Sequence, residues 1–154
     1  MDLTGKNCII TGAASGIGAA CARRFAADGA HVAVIDVNAA GAASVASEID
    51  GIAVTCDLAD PDAIAKMAAT VVAGLGSVDV LFNNAGIASG AGPLDSPIEE
   101  WQTQWDVNLM SHVHAIREVL PAMLKRGSGY ILHTASMAGI LSSHGNLPYA
   151  VSKH

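Results

Sequence analysis

The chain has 154 residues, of which 51% are hydrophobic and 14% charged, so disorder is excluded and a single domain over residues 1–154 is expected. Its formal net charge is −6 and it contains no run of Lys or Arg, which argues against nucleic acid or a membrane surface as a partner. Because it lacks a basic-then-apolar leader pattern and any apolar run near the ~20 residues of a membrane span, we expect a cytoplasmic protein.

The potential metal ligands do not form a metal-binding pattern. Cys8, Cys21 and Cys56 show no paired spacing and are expected to be reduced, packed side chains. His112 and His114 lie two residues apart on a predicted helix and therefore on different faces, which makes them poor joint ligands. We interpret the third candidate, His133, as a packing residue. No metal is therefore expected.

Short apolar runs alternate with helical segments along the chain. Strands are predicted at residues 8–10, 31–36, 52–56, 78–82 and 130–134. Helices are predicted at residues 16–27, 39–49, 61–75 and 97–125, with the first turn of another at 149–154. Each connection is long enough for a right-handed crossover, so the pattern predicts an α/β fold with a parallel, doubly wound sheet between two layers of helices.

Local signals predict how these helices begin and how the connections behave. Asp60 is expected to cap its helix, with Pro61 at the first helical position. Residues 96–99 have the form of a capping box, and Pro121 is expected to bend or end the last turn of the long helix. Residues 87–94 are predicted to form a loop, and residues 137–148 an irregular segment.

A glycine-rich stretch, Thr11-Gly12-x-x-x-Gly16-Ile17-Gly18, joins the first predicted strand to the first helix. Glycine lets the chain turn sharply and brings backbone N–H groups close to an anion, and the following helix presents its positive end at the same place. Its spacing differs from the dinucleotide-binding pattern G-x-G-x-x-G, so on this stretch alone a turn without a ligand remains an alternative.

The other polar signals also stand where predicted strands end, at Asp36, Asp57, residues 83–86 and Ser136. Ligands of doubly wound sheets bind outside the carboxyl ends of the strands, so this convergence favours a dinucleotide site over an empty turn. Asp36 can accept hydrogen bonds from the adenine ribose and would repel a 2′-phosphate, which favours NAD over NADP. A solvated carboxylate at a strand end is the alternative for Asp36.

Tyr149 and Lys153 are four residues apart, so a helix that starts there places both on one face. An ammonium beside a phenol favours the phenolate, which makes the pair an adequate acid–base unit. The hydroxyl of Ser136 could hold an alcohol or carbonyl oxygen. Without further context, a Tyr-x-x-x-Lys pair on a helix surface remains the alternative.

Taken together, these motifs resemble the short-chain dehydrogenase/reductase family. The resemblance covers the whole chain and rests on order and spacing, including the 13 residues from Ser136 to Tyr149. The matching residues are Thr11-Gly12-x-x-x-Gly16-Ile17-Gly18, Asp57-Leu58, Asn83-Asn84-Ala85-Gly86, Asn108, Ser136 and Tyr149-x-x-x-Lys153. It implies a Rossmann-type fold with strand order 3-2-1-4-5 and hydride transfer between NAD(H) and a small alcohol or carbonyl compound.

The same resemblance implies roles for individual residues. Tyr149 would be the general acid/base, Ser136 would orient the substrate oxygen, and Asn108 would position a water in the proton relay. Lys153 would favour the phenolate and bind the nicotinamide ribose. The residues implied to hold the cofactor are Gly12, Ser15, Gly16, Ile17, Gly18, Asp36, Asp57, Leu58, Asn84, Ala85, Gly86, Tyr149 and Lys153.

The chain ends one residue after Lys153, whereas members of the family are longer. By that resemblance the C-terminal part of the fold is missing, and we expect the 154-residue chain to self-associate and to show negligible turnover. A full-length protein is expected to be a homodimer or homotetramer. The alternatives are a non-catalytic NAD-binding or interaction module and an inactive truncated fragment.

Overall fold

A parallel sheet forms the centre of the molecule in this computed structural model, which describes residues 2–90, 92, 94–141 and 145–154. The strands are β1 (Asn7–Thr11), β2 (His31–Asp36), β3 (Ile52–Thr55), β4 (Val80–Asn83) and β5 (Tyr130–His133). Within the described residues they form a five-stranded sheet in the order β3-β2-β1-β4-β5, with every pairing parallel. The predicted α/β class and the Rossmann-type strand order are confirmed.

Helices follow the strands on both faces of the sheet. They are α1 (Gly16–Ala27), α2 (Ala39–Glu48), α3 (Pro61–Leu75), α4 (Ile98–Trp105), α5 (Ser111–Arg126) and α6 (Leu147–Lys153). A π-helical turn (Asp106–Met110) joins α4 to α5, and a 3₁₀ turn (Met137–Gly139) precedes α6. The single long helix predicted at 97–125 is therefore continuous in path but changes its hydrogen-bonding pattern at the turn that contains Asn108.

Each face of the sheet has its own core, because successive strand residues point to opposite sides. On one face, Ile9 and Leu81 belong to a cluster that includes buried side chains of α3 and α5. On the other, Ile10 and Val34 belong to a cluster with α1 and α2, whose buried residues are mostly alanine and glycine. Small helix residues let these helices approach the sheet closely, which fixes the strand ends that form the site.

Several predicted boundaries hold and others need correction. Asp60 caps α3 as predicted, accepting a hydrogen bond from the Asp62 backbone N–H at 2.9 Å. The capping box at 96–99 is wrong: α4 begins at Ile98, and the Ser96 hydroxyl instead donates to the Gly92 carbonyl at 2.8 Å. Pro121 lies inside α5, which continues to Arg126.

The segment between β5 and the end of the chain is more regular than predicted. It contains the 3₁₀ turn, and α6 starts at Leu147, two residues before the predicted start at Tyr149. Residues 91 and 93 of the predicted loop and 142–144 of the predicted irregular segment lie outside the described residues. Among the helices that the structure describes, none combines the length and the apolar character needed to cross a membrane.

Candidate functional site

A cavity of about 760 Å³ lies at the carboxyl ends of the strands. It brings together residues that are far apart in sequence and that lie at or directly after the ends of β1, β2, β3, β4 and β5. Predicted site residues in its wall are Gly12, Ser15, Gly16, Ile17, Asp36, Asp57, Leu58, Asn84, Ala85, Gly86, Tyr149 and Lys153. Its described lining does not include Gly18, Asn108 or Ser136. The cavity therefore unites nearly all the predicted cofactor residues with the Tyr–Lys pair.

The glycine loop has the geometry of an anion cradle. Gly12 and Gly16 have φ angles of 64° and 53°, in the left-handed region that favours glycine. A Cβ on Gly18 would collide with the Gly12 carbonyl oxygen and lie 2.6 Å from Asn84 Nδ2. Helix α1 starts at Gly16, and the Ser15 side chain makes no capping hydrogen bond. Backbone N–H groups at the start of α1 are therefore directed toward this end of the cavity.

The Asp36 carboxylate ties this loop to the end of β2. Its Oδ2 accepts a hydrogen bond from the Ala14 N–H and its Oδ1 accepts one from the Asn38 N–H, both at 3.0 Å. Val37 beside it is 69% exposed and carries no charge. The described wall is negatively charged at this position and has no Arg or Lys nearby. Ribose hydroxyls fit such a position better than a 2′-phosphate does.

Asn84 joins three strand ends across the floor of the site. Its Nδ2 donates to the Thr11 carbonyl at 3.0 Å, and its Oδ1 accepts from the Thr134 hydroxyl at 2.9 Å. The Thr11 hydroxyl accepts from the backbone N–H groups of Asn84 and Ala85 at 3.0 and 3.1 Å. Thr134 was not among the predicted site residues. Its place directly after β5 is the signal that could have identified it, as for Asp36 after β2.

Asn108 is buried in the π-helical turn and links two segments of the site. Its Oδ1 accepts from the Ile87 N–H at 2.8 Å, and its Nδ2 donates to the Ile87 carbonyl and the Ser152 hydroxyl, both at 2.9 Å. A Cβ on Gly86 would lie 3.3 Å from Asn108 Oδ1 and 3.4 Å from Lys153 Nζ. Asn108 therefore contacts the loop after β4 and α6, rather than the open cavity. Single π turns are frequent at functional sites.

Helix α6 presents Tyr149 and Lys153 to the cavity from the same face. The Lys153 Nζ lies 5.8 Å from the centre of the Tyr149 ring and donates to the Thr134 carbonyl at 3.5 Å. Ser136 caps the 3₁₀ turn: its hydroxyl oxygen accepts from the Ala138 N–H at 3.1 Å. That bond leaves the Ser136 hydroxyl hydrogen available to another acceptor.

A histidine pair lies beside this group. The Nδ1 atoms of His112 on α5 and His133 on β5 are 3.2 Å apart, and the ring centres are 5.1 Å apart. Burial, the neighbouring His133 and the Lys153 ammonium together lower the pKa of His112 to about 4. The described residues contain no group of three or more His, Cys, Asp or Glu placed to hold a metal ion. His133 packs against another polar side chain, which the sequence did not indicate.

Comparison with known proteins establishes the family. A family model described as short chain dehydrogenase matches residues 6–154. The matched region includes the glycine loop, the strand-end residues and the Tyr–Lys pair. The chain therefore belongs to the short-chain dehydrogenase family.

Individual relatives are longer than this chain. 1-Deoxy-11-beta-hydroxypentalenate dehydrogenase of Streptomyces avermitilis is 40% identical over 162 aligned residues, which cover all of this chain and 60% of that protein. A short chain dehydrogenase/reductase of Burkholderia phymatum, solved with NAD, has a TM-score of 0.96 at 32% identity; the match covers 100% of this chain and 57% of that one. A metagenomic short-chain oxidoreductase solved with NADP has a TM-score of 0.92 at 36% identity, over 99% of this chain and 72% of the other.

Proposed function

We propose that this chain carries the cofactor site and the acid–base residues of an NAD(H)-dependent oxidoreductase that acts on a small alcohol or carbonyl compound. One observation carries the proposal: a single cavity is lined by the glycine loop and Asp36 at one end and by Tyr149 and Lys153 at the other. A dinucleotide would span these two ends. The names of the relatives, all dehydrogenases or oxidoreductases, support the same reaction class.

The residues present fit a dinucleotide. The loop around Gly12 and Gly18 is so close-packed that a Cβ on either would meet backbone atoms, whereas a Cβ on Gly16 would meet nothing within 4 Å. This leaves room for a diphosphate at the start of α1. Asp36 would accept hydrogen bonds from the adenine ribose, and Lys153 would bind the nicotinamide ribose. When bound, the nicotinamide supplies the hydride chemistry.

The chain's own residues would handle the proton. Tyr149 would remove the proton from an alcohol oxygen or return it to a carbonyl oxygen. The Lys153 ammonium lies 5.8 Å from the centre of the Tyr149 ring, and the Thr134 carbonyl holds Lys153 in place. Ser136 would donate its hydroxyl hydrogen to the same substrate oxygen, since its own oxygen already accepts from Ala138.

Tyr149→Phe separates an enzyme from a binding module. Measured on the whole protein, it should lower NAD-dependent oxidation of small secondary alcohols and polyols by roughly 10²–10⁴-fold, the usual contribution of a general acid–base group, with NADH affinity changed little. The control is Tyr130→Phe, because Tyr130 is 56% exposed on β5. Saturable NADH binding without any turnover would favour the non-catalytic module, and absence of NADH binding would contradict the proposal.

Asp36 is proposed to set the preference for NAD(H) over NADP(H). Asp36→Asn removes the charge that repels a 2′-phosphate, so we expect the ratio of NADH to NADPH affinity to fall roughly tenfold, about 1.4 kcal/mol. Isothermal calorimetry with both nucleotides measures the ratio. The control Asp62→Asn makes the same charge change on exposed α3 and should leave it unaltered. Tighter binding of NADPH than NADH by the unmodified protein would contradict the proposed preference.

We further propose a homodimer or homotetramer for the whole protein. Trp105 and Val113 are 42% and 37% exposed on α4 and α5, which gives this pair of helices apolar surface to bury. Light scattering at several concentrations tests the proposal, and a monomer at all of them would contradict it.

A further inference from the structure

We propose that His112 and His133 are paired positioning residues, which hold the carboxyl end of β5 so that Thr134 stays in contact with Lys153 and Asn84. The proposal rests on the proposed function in one respect: it takes the Lys153 end of the cavity as the nicotinamide end. Neither histidine lines the cavity, so both would act through residues that do.

His112 anchors the end of β5 through its contact with His133. His112 lies on α5 and is 9% exposed, next to core residues such as Ala115 and Val119. Its Nδ1 is 3.2 Å from Nδ1 of His133, the last residue of β5. A hydrogen bond needs one of these nitrogens to donate and the other to accept, so the pair forms when at least one ring is neutral. Burial and the nearby Lys153 keep His112 neutral at pH 7.

The side chains of His133 and Thr134 point in opposite directions. Successive strand residues face opposite sides of the sheet, so His133 faces α5 while Thr134 faces the other way. The contact of His133 with His112 therefore holds the backbone from the α5 side, one residue before Thr134. The Thr134 N–H donates to the Asn83 carbonyl at 3.0 Å and supplies a second attachment, to β4.

Thr134 makes two contacts with residues that line the cavity. Its carbonyl accepts from Lys153 Nζ at 3.5 Å and its hydroxyl donates to Asn84 Oδ1 at 2.9 Å. If the backbone at Thr134 shifts, both contacts change together, and Ser136 two residues later moves with them. His133 is itself exposed, so without His112 little else on its side of the sheet would hold this turn.

The pair also explains a buried polar side chain that the mechanism does not use. His112 Nε2 is buried and makes no hydrogen bond of good geometry with the described residues, although the Ala85 backbone lies close enough to act on the pKa of the ring. A buried polar group that lacks a partner is costly, so an apolar residue would be the cheaper choice at this position for packing alone. The contact through Nδ1 supplies a reason for a histidine here.

The test compares two ligands that share the adenosine end of the cavity. NADH reaches both ends, whereas ADP lacks both the nicotinamide and the ribose that Lys153 would bind. We expect His112→Phe and His133→Phe each to weaken NADH binding by roughly two- to tenfold, the worth of one hydrogen bond, with ADP affinity unchanged. The double variant should lose no more than either single one, because both remove the same contact.

Conservative variants separate the hydrogen bond from simple packing. His112→Gln and His133→Asn retain polar groups that can donate or accept, and we expect them to restore most of the NADH affinity. The matched control is His114→Gln, two residues from His112 on the same helix and only partly buried. Equal losses for NADH and ADP, or a loss that Gln and Asn do not restore, would overturn the proposal.

Amide hydrogen exchange gives a readout that does not depend on cofactor binding. We expect the Thr134 amide to exchange faster in His112→Phe, while the Tyr130 amide, bonded to the Asp79 carbonyl at the other end of β5, does not change. If the unmodified protein binds neither nucleotide, the proposed function fails, and the exchange measurement alone decides this inference. Unchanged exchange at Thr134 would then overturn it.

Discussion

The two ends of the cavity are built in different ways. The glycine-loop end stands on β1 and β2, whose central residues are buried on both faces of the sheet. The Tyr–Lys end stands on β5, where Tyr130 and Leu132 are 56% and 38% exposed, and on α6. Single hydrogen bonds join α6 to Asn108 and to the Thr134 carbonyl. The first end is thus held by the core, and the second by a few specific side-chain and backbone contacts.

This comparison predicts that equal substitutions have unequal effects at the two ends. A substitution that causes a steric clash at the glycine-loop end should lower the free energy of unfolding, because the surrounding core cannot move to relieve it. Similar damage at the Tyr–Lys end should be absorbed by movement of α6, with the cost appearing in ligand binding instead.

Gly18→Ala should have the largest effect. The new Cβ would collide with the Gly12 carbonyl oxygen, and both residues belong to the rigid turn at the end of β1. We expect a loss of roughly 3 kcal/mol in the free energy of unfolding, the upper range for overpacking, together with loss of NADH binding. Urea unfolding measures it. Gly90→Ala is the control, since a Cβ there meets nothing within 4 Å; equal stability of the two variants would contradict the rigid-loop account.

The pH dependence of stability should report His112. Its pKa is lowered in the folded protein to about 4 from an ordinary value near 6.5, so between these values the unfolded chain binds the extra proton. Proton binding to the unfolded chain therefore lowers the free energy of unfolding as pH falls from about 6.5 to 4, by up to about 3 kcal/mol. We expect His112→Gln to flatten the unfolding free energy over this window relative to the unmodified protein. Parallel pH curves for the two proteins would contradict a buried neutral His112.

Gly139→Ala should have the smallest effect on stability and act at the Tyr–Lys end. A Cβ on Gly139 would collide with the Lys153 carbonyl oxygen, so α6 must shift. We expect a cost of about 1 kcal/mol in unfolding free energy and a clear loss of NADH affinity, with ADP affinity retained. The control is Gly145→Ala, on the other side of α6, where a Cβ meets nothing within 4 Å. A large stability loss in Gly139→Ala would show that the two ends are equally rigid.

Sequence reasoning was most accurate where the signal is local and periodic. The strand runs and the Asp60 cap follow from apolar spacing and capping rules, whereas the strand order follows from the family resemblance. Asp36 and Asn84 were predicted to lie at the site because they stand at strand ends, and both line the cavity. The capping box at Ser96 failed because a hydroxyl can serve a loop carbonyl as well as a helix N–H, and local sequence does not distinguish the two.

Contacts between distant segments were beyond reach. The π-helical turn around Asn108 is coupled to Ile87 and Ser152, which lie 21 and 44 residues away along the chain. The His112–His133 contact joins a helix to a strand whose register depends on β4. Such pairings depend on packing of the whole fold. The family resemblance indicated Asn108 but none of its contacts, and each histidine alone looked like an ordinary core or surface position.

The central claim is that one dinucleotide occupies both ends of the cavity. Titration of the ¹⁵N-labelled protein with NADH, followed by amide chemical shifts, tests this most directly. The account predicts saturable shifts at residues 12–18, at Asp36 and at 84–86, together with shifts at Thr134 and Lys153 in the same titration. Shifts limited to one end, or absent from the glycine loop, would contradict it.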